Sequence, residues 1–167
     1  MGLLKKMLFL AFVLLFVNFV NAQGKASPEA VAAGKINGAT ISINYSSPSV
    51  KGRQIWGALV PFNEVWRAGA DEATTFETDK ELTIGGSKLP AGKYSFFIIP
   101  KEKECIVIFN KEAKQWGAYK YNEKQDQLRV SVKQKLAETM AEKLVYTIDK
   151  NAISLSWDNW IIPISVK

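Results

Sequence analysis

Histidine is absent from this sequence altogether, and a single cysteine, Cys105, stands among its 167 residues. The first absence removes serine–histidine and cysteine–histidine triads, histidine general bases and most zinc or iron sites. Carboxylate chemistry, a serine–lysine pair and oxygen-ligated calcium or magnesium are what remain. The second excludes an intramolecular disulfide, so a hydrophobic core has to hold the domain together. Cys105 lies in the run Cys105-Ile106-Val107-Ile108-Phe109, where it reads as a small buried hydrophobe rather than a nucleophile. Repeats and low-complexity segments are missing too, and so is any stripe of one charge. The net charge is +6, but the basic residues are interspersed with acidic ones, as in Lys101-Glu102-Lys103-Glu104. Such a solvated surface offers no track for a nucleic acid backbone, and no nucleic-acid partner is expected.

What is present describes one ordinary globular domain: 47% of residues are hydrophobic and 23% charged, enough apolar material for a real core. The first residues stand apart. Lys5 and Lys6 precede an apolar run from Met7 to Val17, and Val20-Asn21-Ala22 offers small residues where a signal peptidase reads. Residues 1–22 are therefore expected to be a cleaved signal peptide. Asn18 and Asn21 interrupt the run short of the about 20 apolar residues that cross a bilayer. No cysteine near the cleavage site accepts a lipid, so a secreted or periplasmic product without membrane insertion is expected. Once Lys5 and Lys6 are gone, the 22 basic residues fall to 20 against 16 acidic ones, a net charge of about +4.

Residues 23–38 are small, polar and alanine-rich and read as a flexible lead-in, with Ser27-Pro28-Glu29 able to start a short helix. Ala39 to Tyr45 alternates as a half-buried strand does, and Ser47-Pro48 stops its ladder. Thr74 to Thr78 and Glu81 to Ile84 read as short strands before a Gly85-Gly86 turn. Leu89-Pro90-Ala91-Gly92-Lys93-Tyr94 resembles the tyrosine corner of immunoglobulin-like sandwiches. Tyr94 to Ile99 and Cys105 to Phe109 form a hairpin that is apolar on both faces, so it should be covered on both sides. The core covers one. The Ser46 to Gly69 excursion, or a second copy in a homodimer through an exposed sheet face, would cover the other. Gln115 to Tyr121 is an aromatic loop or edge. Leu128 to Val132, Leu144 to Ile148, Ile153 to Trp157 and Trp160 to Val166 complete the strands. Asp149-Lys150-Asn151 and Asp158-Asn159 read as hairpin turns, and Ala137 to Lys143 as a helical turn. About nine short strands predict an all-β fold, an antiparallel β-sandwich or jelly roll over residues 39–167 with an irregular loop packed on one sheet.

That irregular stretch, Ser46 to Thr78, holds the candidate site. It gathers Trp56 and Trp66, the cations Lys51, Arg53 and Arg67, and the carboxylates Glu64, Asp71 and Glu72. The leading cluster is Arg53, Trp66, Arg67, Asp71, Glu72 and Thr74. As a ligand site, its indole face would stack on a sugar ring, its guanidinium groups fork onto anions and its carboxylates take hydroxyls. As structure, Arg67 pairs with Asp71 or Glu72 to pin the loop, and the two tryptophans close the open end of the sandwich. A glycosidase would draw its two carboxylates from Glu64, Asp71 and Glu72, with Glu64 and one of the others the better-separated choice. Ser47 or Ser49 with Lys51 or Lys93 lacks a nucleophile-elbow motif. Asp149, Asn151, Asp158 and Asn159 already have turn-forming work, so no metal and no cofactor is expected. Trp116, Tyr119 and Tyr121 with Trp157 and Trp160 form a second aromatic group, either platform or packing.

The blocks Ser47-Pro48 through Lys51-Gly52-Arg53, Leu59-Val60-Pro61, Val65-Trp66-Arg67-Ala68-Gly69-Ala70, Glu72-Ala73-Thr74-Thr75, Leu89 to Tyr94 and Gln115-Trp116-Gly117 together resemble domain-of-unknown-function family 2911. The resemblance runs from about Ile41 to the C-terminus. It implies an exported protein of Bacteroidetes and related bacteria, and no established activity. Two positions depart from the family pattern: Asp71 stands where asparagine is common, and Phe62 where tyrosine is usual. The functional expectation is a non-catalytic binding module for a polar or anionic envelope ligand such as a glycan or an envelope protein. The alternatives are a carboxylate-dependent hydrolase of envelope glycans and a purely structural envelope protein.

Overall fold

The computed structural model of the protein describes residues 26–167; the expected signal peptide lies outside them. Ten strands follow one another: β1 (Glu29–Ile36), β2 (Ala39–Ser46), β3 (Ala70–Thr78), β4 (Leu82–Ile84), β5 (Ser87–Leu89), β6 (Gly92–Pro100), β7 (Cys105–Asn110), β8 (Asp126–Val132), β9 (Lys135–Ile148) and β10 (Ala152–Ser165). Six of them form an antiparallel sheet in the order β1-β2-β3-β6-β7-β8, while β9 with β10 and β4 with β5 make separate hairpins. The sheet and the long β9–β10 hairpin are the two layers of an antiparallel β-sandwich.

Alternation decides which side of each strand faces the other layer. Ile41 and Ile43 of β2, Phe76 of β3, Phe96 and Ile98 of β6, and Val107 and Phe109 of β7 enter one core with Leu144, Tyr146, Leu155, Trp157 and Ile162 of the hairpin. Phe109 is a hub, meeting Phe76 edge-on at 5.0 Å and Phe96 at 5.2 Å between ring centroids. The tyrosine corner is present: the Tyr94 hydroxyl donates to the Pro90 carbonyl at 2.9 Å. Cys105 is fully buried, and burial pushes its thiol pKa up to about 11, which keeps it protonated and inert.

The 47–69 excursion packs on this sheet, on its core-facing side. Trp66 exchanges both backbone hydrogen bonds with Ile98, N to O at 2.8 and 2.9 Å, so it continues the sheet beside β6 beyond the end of the β3 ladder. From there Ile55, Trp56, Val60 and Trp66 drop into the core. Trp66 stacks on Trp157 at 5.8 Å and 17°, while Phe62 lies 6.1 Å from Trp160. The outer face of the β6–β7 hairpin is covered only in part by the excursion, through Val65: Phe97 and Ile108 pack with Val65, Ala73, Ala118 and Tyr121. A segment of the same chain, 118–121, supplies part of that cover.

Three local expectations give way to different structure. Residues 29–36, expected within a loose lead-in, form edge strand β1, closed onto β2 by Asn37 and Gly38 at φ 50° and 78°. Ala137 to Lys143, expected as a helical turn, belongs to β9. Asp158-Asn159 is no hairpin turn: β10 runs straight through it, with register shifts on either side of Asp158, whose φ is 51°. This bulge switches the inward residues from Ile153, Leu155 and Trp157 to Trp160, Ile162 and Ile164, because one extra residue exchanges the two faces of a strand.

Candidate ligand-binding site

The side of the sheet away from the β9–β10 hairpin carries the candidate site. Register places Val31, Asn44, Thr75 and Ser95 across it, from β1 through β2 and β3 to β6. The β2–β3 ladder breaks there: Asn44 pairs with Thr75, but Ser46 pairs with Ala70. The residues between bulge away from β2 and take a new partner. Ala73 N donates to Gln115 O at 2.9 Å and Gly117 N donates to Asp71 O at 3.2 Å. Asp71 has φ 57°, a left-handed conformation that aspartate and asparagine tolerate better than other non-glycine residues. An amide or a carboxylate at this position thus serves the same backbone.

The bulge, the start of β1 and the 113–116 loop enclose an open hollow of about 820 Å³, within the usual range for small-ligand sites. Its lining combines Asp71 and Glu72, Lys93 and Lys114, the amides of Asn44 and Gln115, and the indole of Trp116. Trp116 is 63% exposed. Lys93 lies 3.7 Å from Glu77, leaving both largely solvated.

Buried hydrogen bonds hold the wall in place. Ser95 Oγ donates to Glu112 O at 2.7 Å, and Gln115 Nε2 donates to Glu112 O, Ser95 Oγ and Asn110 Oδ1. Asn110 Nδ2 reaches Asn122 O at 3.0 Å and Asp126 Oδ1 at 2.8 Å. Asp126 Oδ2 accepts from Tyr121 and from Arg129. Burial, then the Asp126 contact, pushes the Tyr121 hydroxyl up to about 12, while hydrogen bonds to Asp126 and Tyr121 hold Arg129 above its usual range against partial desolvation. Gly117, at φ 62°, lets the chain fold so tightly that an added Cβ would sit 2.9 Å from the Tyr119 ring.

The residues singled out in the sequence separate. Asp71 and Glu72 line the hollow. Trp66 is buried, its Nε1 donating to Gly69 O at 3.2 Å. Thr74 is fully buried and donates to Ala68 O at 2.9 Å. The Arg53 guanidinium turns onto its own loop, donating to Val50 O at 3.1 Å and Ser49 O at 2.6 Å. Arg67 makes no ion pair with Asp71 or Glu72, and its buried Nε has no hydrogen-bond partner. Glu64 is exposed on the 61–64 turn, outside the hollow's lining. The second aromatic group splits as well: Trp157 and Trp160 are core residues, Tyr121 is half-buried, and Trp116 and Tyr119 face solvent. Sequence reasoning missed Asn44 and Lys114 and weighed Lys93 only as a serine–lysine partner, because they come from separate segments; the register of β2, β3 and β6 unites Asn44 with Lys93, and the pairing of the 70–73 bulge with the 115–117 segment brings in Lys114. Among the described residues no group of three or more histidine, cysteine, aspartate or glutamate side chains could hold a metal ion, and no helix is long and apolar enough to cross a membrane.

Residues 27–166 match the family model described as protein of unknown function (DUF2911). No curated protein and no solved structure matches the chain.

Proposed function

We propose that this chain, which belongs to the DUF2911 family of proteins of unknown function, is a non-catalytic binding module that takes a glycan-like ligand in the hollow on its outer sheet face. The observation that carries this is Trp116, a tryptophan left 63% exposed on the wall of a cleft that Asn44, Asp71 and Glu72 also line. An indole face provides a flat apolar surface for the C–H side of a sugar ring. Asp71 and Glu72 accept hydroxyl protons, and Asn44 can both donate and accept. A signal peptide at residues 1–22 would deliver the module to the compartment where envelope glycans lie.

The hydrolytic alternative has less support. Glu64 is not part of the hollow, and Asp71 and Glu72 are consecutive residues, a poor starting point for two carboxylates that must flank one glycosidic bond.

The test is calorimetric titration of residues 23–167 with neutral hexasaccharides, chitohexaose and cellohexaose, alongside Trp116→Ala. We expect the variant to keep its melting temperature and to lose about tenfold or more in affinity, as removal of a stacking aromatic does. Equal affinity in the variant, or shortened sugars in the reaction mixture, would overturn the proposal.

A further inference from the structure

Beside the first hollow lies a second, of about 670 Å³, and Lys114, Gln115 and Trp116 line both. Its character is different. Lys111, Lys114 and Lys120 bring three ammonium groups to it against one carboxylate, Glu112, and Tyr119 adds a ring that is 85% exposed. None of these lysines takes part in an ion pair among the described residues, so their charge is uncompensated locally. The loop that carries them is also fixed in advance. Its base is tied to buried Ser95 and Asn110 by the hydrogen bonds of Glu112 and Gln115, which lowers the entropy lost when a ligand binds.

We infer that the second hollow is an anion subsite, and that the ligand is an acidic glycan in which a neutral sugar in the first hollow is followed by a carboxylate-bearing sugar across Trp116. The inference rests on the glycan reading of the first hollow. Charge complementarity favours a carboxylated sugar over a nucleic acid: a chain with a phosphate at every unit would carry that charge past Asp71 and Glu72 as well, and like charges in a cleft repel. A neutral sugar there avoids the conflict, and the acidic neighbour meets only the lysine cluster.

The experiment compares chitohexaose with a hyaluronan hexasaccharide, which alternates an amino sugar with a uronic acid, and with a single-stranded DNA hexamer. Each is titrated into the 23–167 chain at low and high salt. Lys111→Gln/Lys120→Gln serves as the variant, since both residues are exposed and lie outside the first hollow. We expect hyaluronan to bind about tenfold more tightly than chitohexaose at low salt, the preference fading as salt screens exposed charge. In the variant the preference should vanish while chitohexaose affinity stays. Chitohexaose binding with no preference for the acidic sugar overturns this inference and leaves the first hollow's role standing. Tighter binding of the DNA hexamer overturns it in favour of a phosphate polymer. Binding of neither sugar removes both assignments. Unchanged hyaluronan affinity in the variant also overturns it, because the lysines would then contribute nothing.

Discussion

The indole of Trp56 lies flat against that of Trp160, the ring centroids 4.3 Å apart and the planes 11° from parallel. One ring comes from the irregular excursion and the other from the strand after the β10 bulge, so this stack joins the loop to the hairpin layer. Trp56 also meets Trp66 at 5.7 Å and Trp157 at 6.0 Å. The tryptophan-rich segment that invited a functional reading is therefore a fastening at the end of the sandwich. Trp160→Ala should cost about 3–5 kcal/mol, the range for removing a large buried aromatic, without affecting sugar affinity at temperatures where the variant is folded. Urea unfolding and titration of the same sample check both halves.

Tyr94→Phe isolates the corner. The ring stays in place and only the bond to Pro90 O is lost, so destabilisation of about 1–2 kcal/mol is expected. Chemical denaturation with an unchanged m-value would confirm that the loss is local.

Arg67 presents the opposite case. Its half-buried side chain leaves Nε without a partner, and a polar group buried without a hydrogen bond is a cost rather than a gain. Arg67→Met should leave stability within about 1 kcal/mol of the parent or raise it. A loss of several kcal/mol would mean that the guanidinium pins the loop after all.

Alkaline pH should weaken the wall of the site. Tyr121 is raised from 10.0 to about 12, so the folded state holds its proton more tightly than the unfolded chain does. That contribution is complete below pH 10 and is lost as pH rises toward 12. Melting temperatures across this window should fall less steeply in Tyr121→Phe than in the parent. Tyr146, Tyr94 and Cys105 are raised in the same direction by burial and contribute slope in both proteins. Identical slopes would show that Tyr121 ionises as freely in the fold as outside it.

Much of the sandwich could be read from the chain because its central strands are amphipathic or doubly buried. Ile41, Ile43 and Tyr45 alternate with polar partners, and the Phe96 to Ile99 run is apolar on both faces because both faces are covered. The edges were harder. Strand β1 is built from small residues, Ala30 to Gly34, with no apolar alternation to detect, although Asn37-Gly38 is a strong hairpin signal. The first half of β9, Lys135 to Lys143, is rich in alanine, glutamate and lysine, residues that favour helix; pairing with β10 overrides that preference. Asp71 and Glu72 were legible as a polar interruption. That they face Trp116 follows from the bridge between the 70–73 bulge and the 115–117 segment, a relation between chain positions more than forty residues apart that no local pattern encodes.

The irregularity at Asp158 makes one supernumerary residue responsible for how half a strand is sorted between oil and water. Deleting it would leave Trp157, Trp160, Ile162 and Ile164 on one face of an unbroken strand, whereas one further residue inserted beside the retained bulge would turn Trp160, Ile162 and Ile164 outward and bring Ile161, Pro163 and Ser165 inward. An insertion here should therefore be far less tolerable than the removal of Asp158.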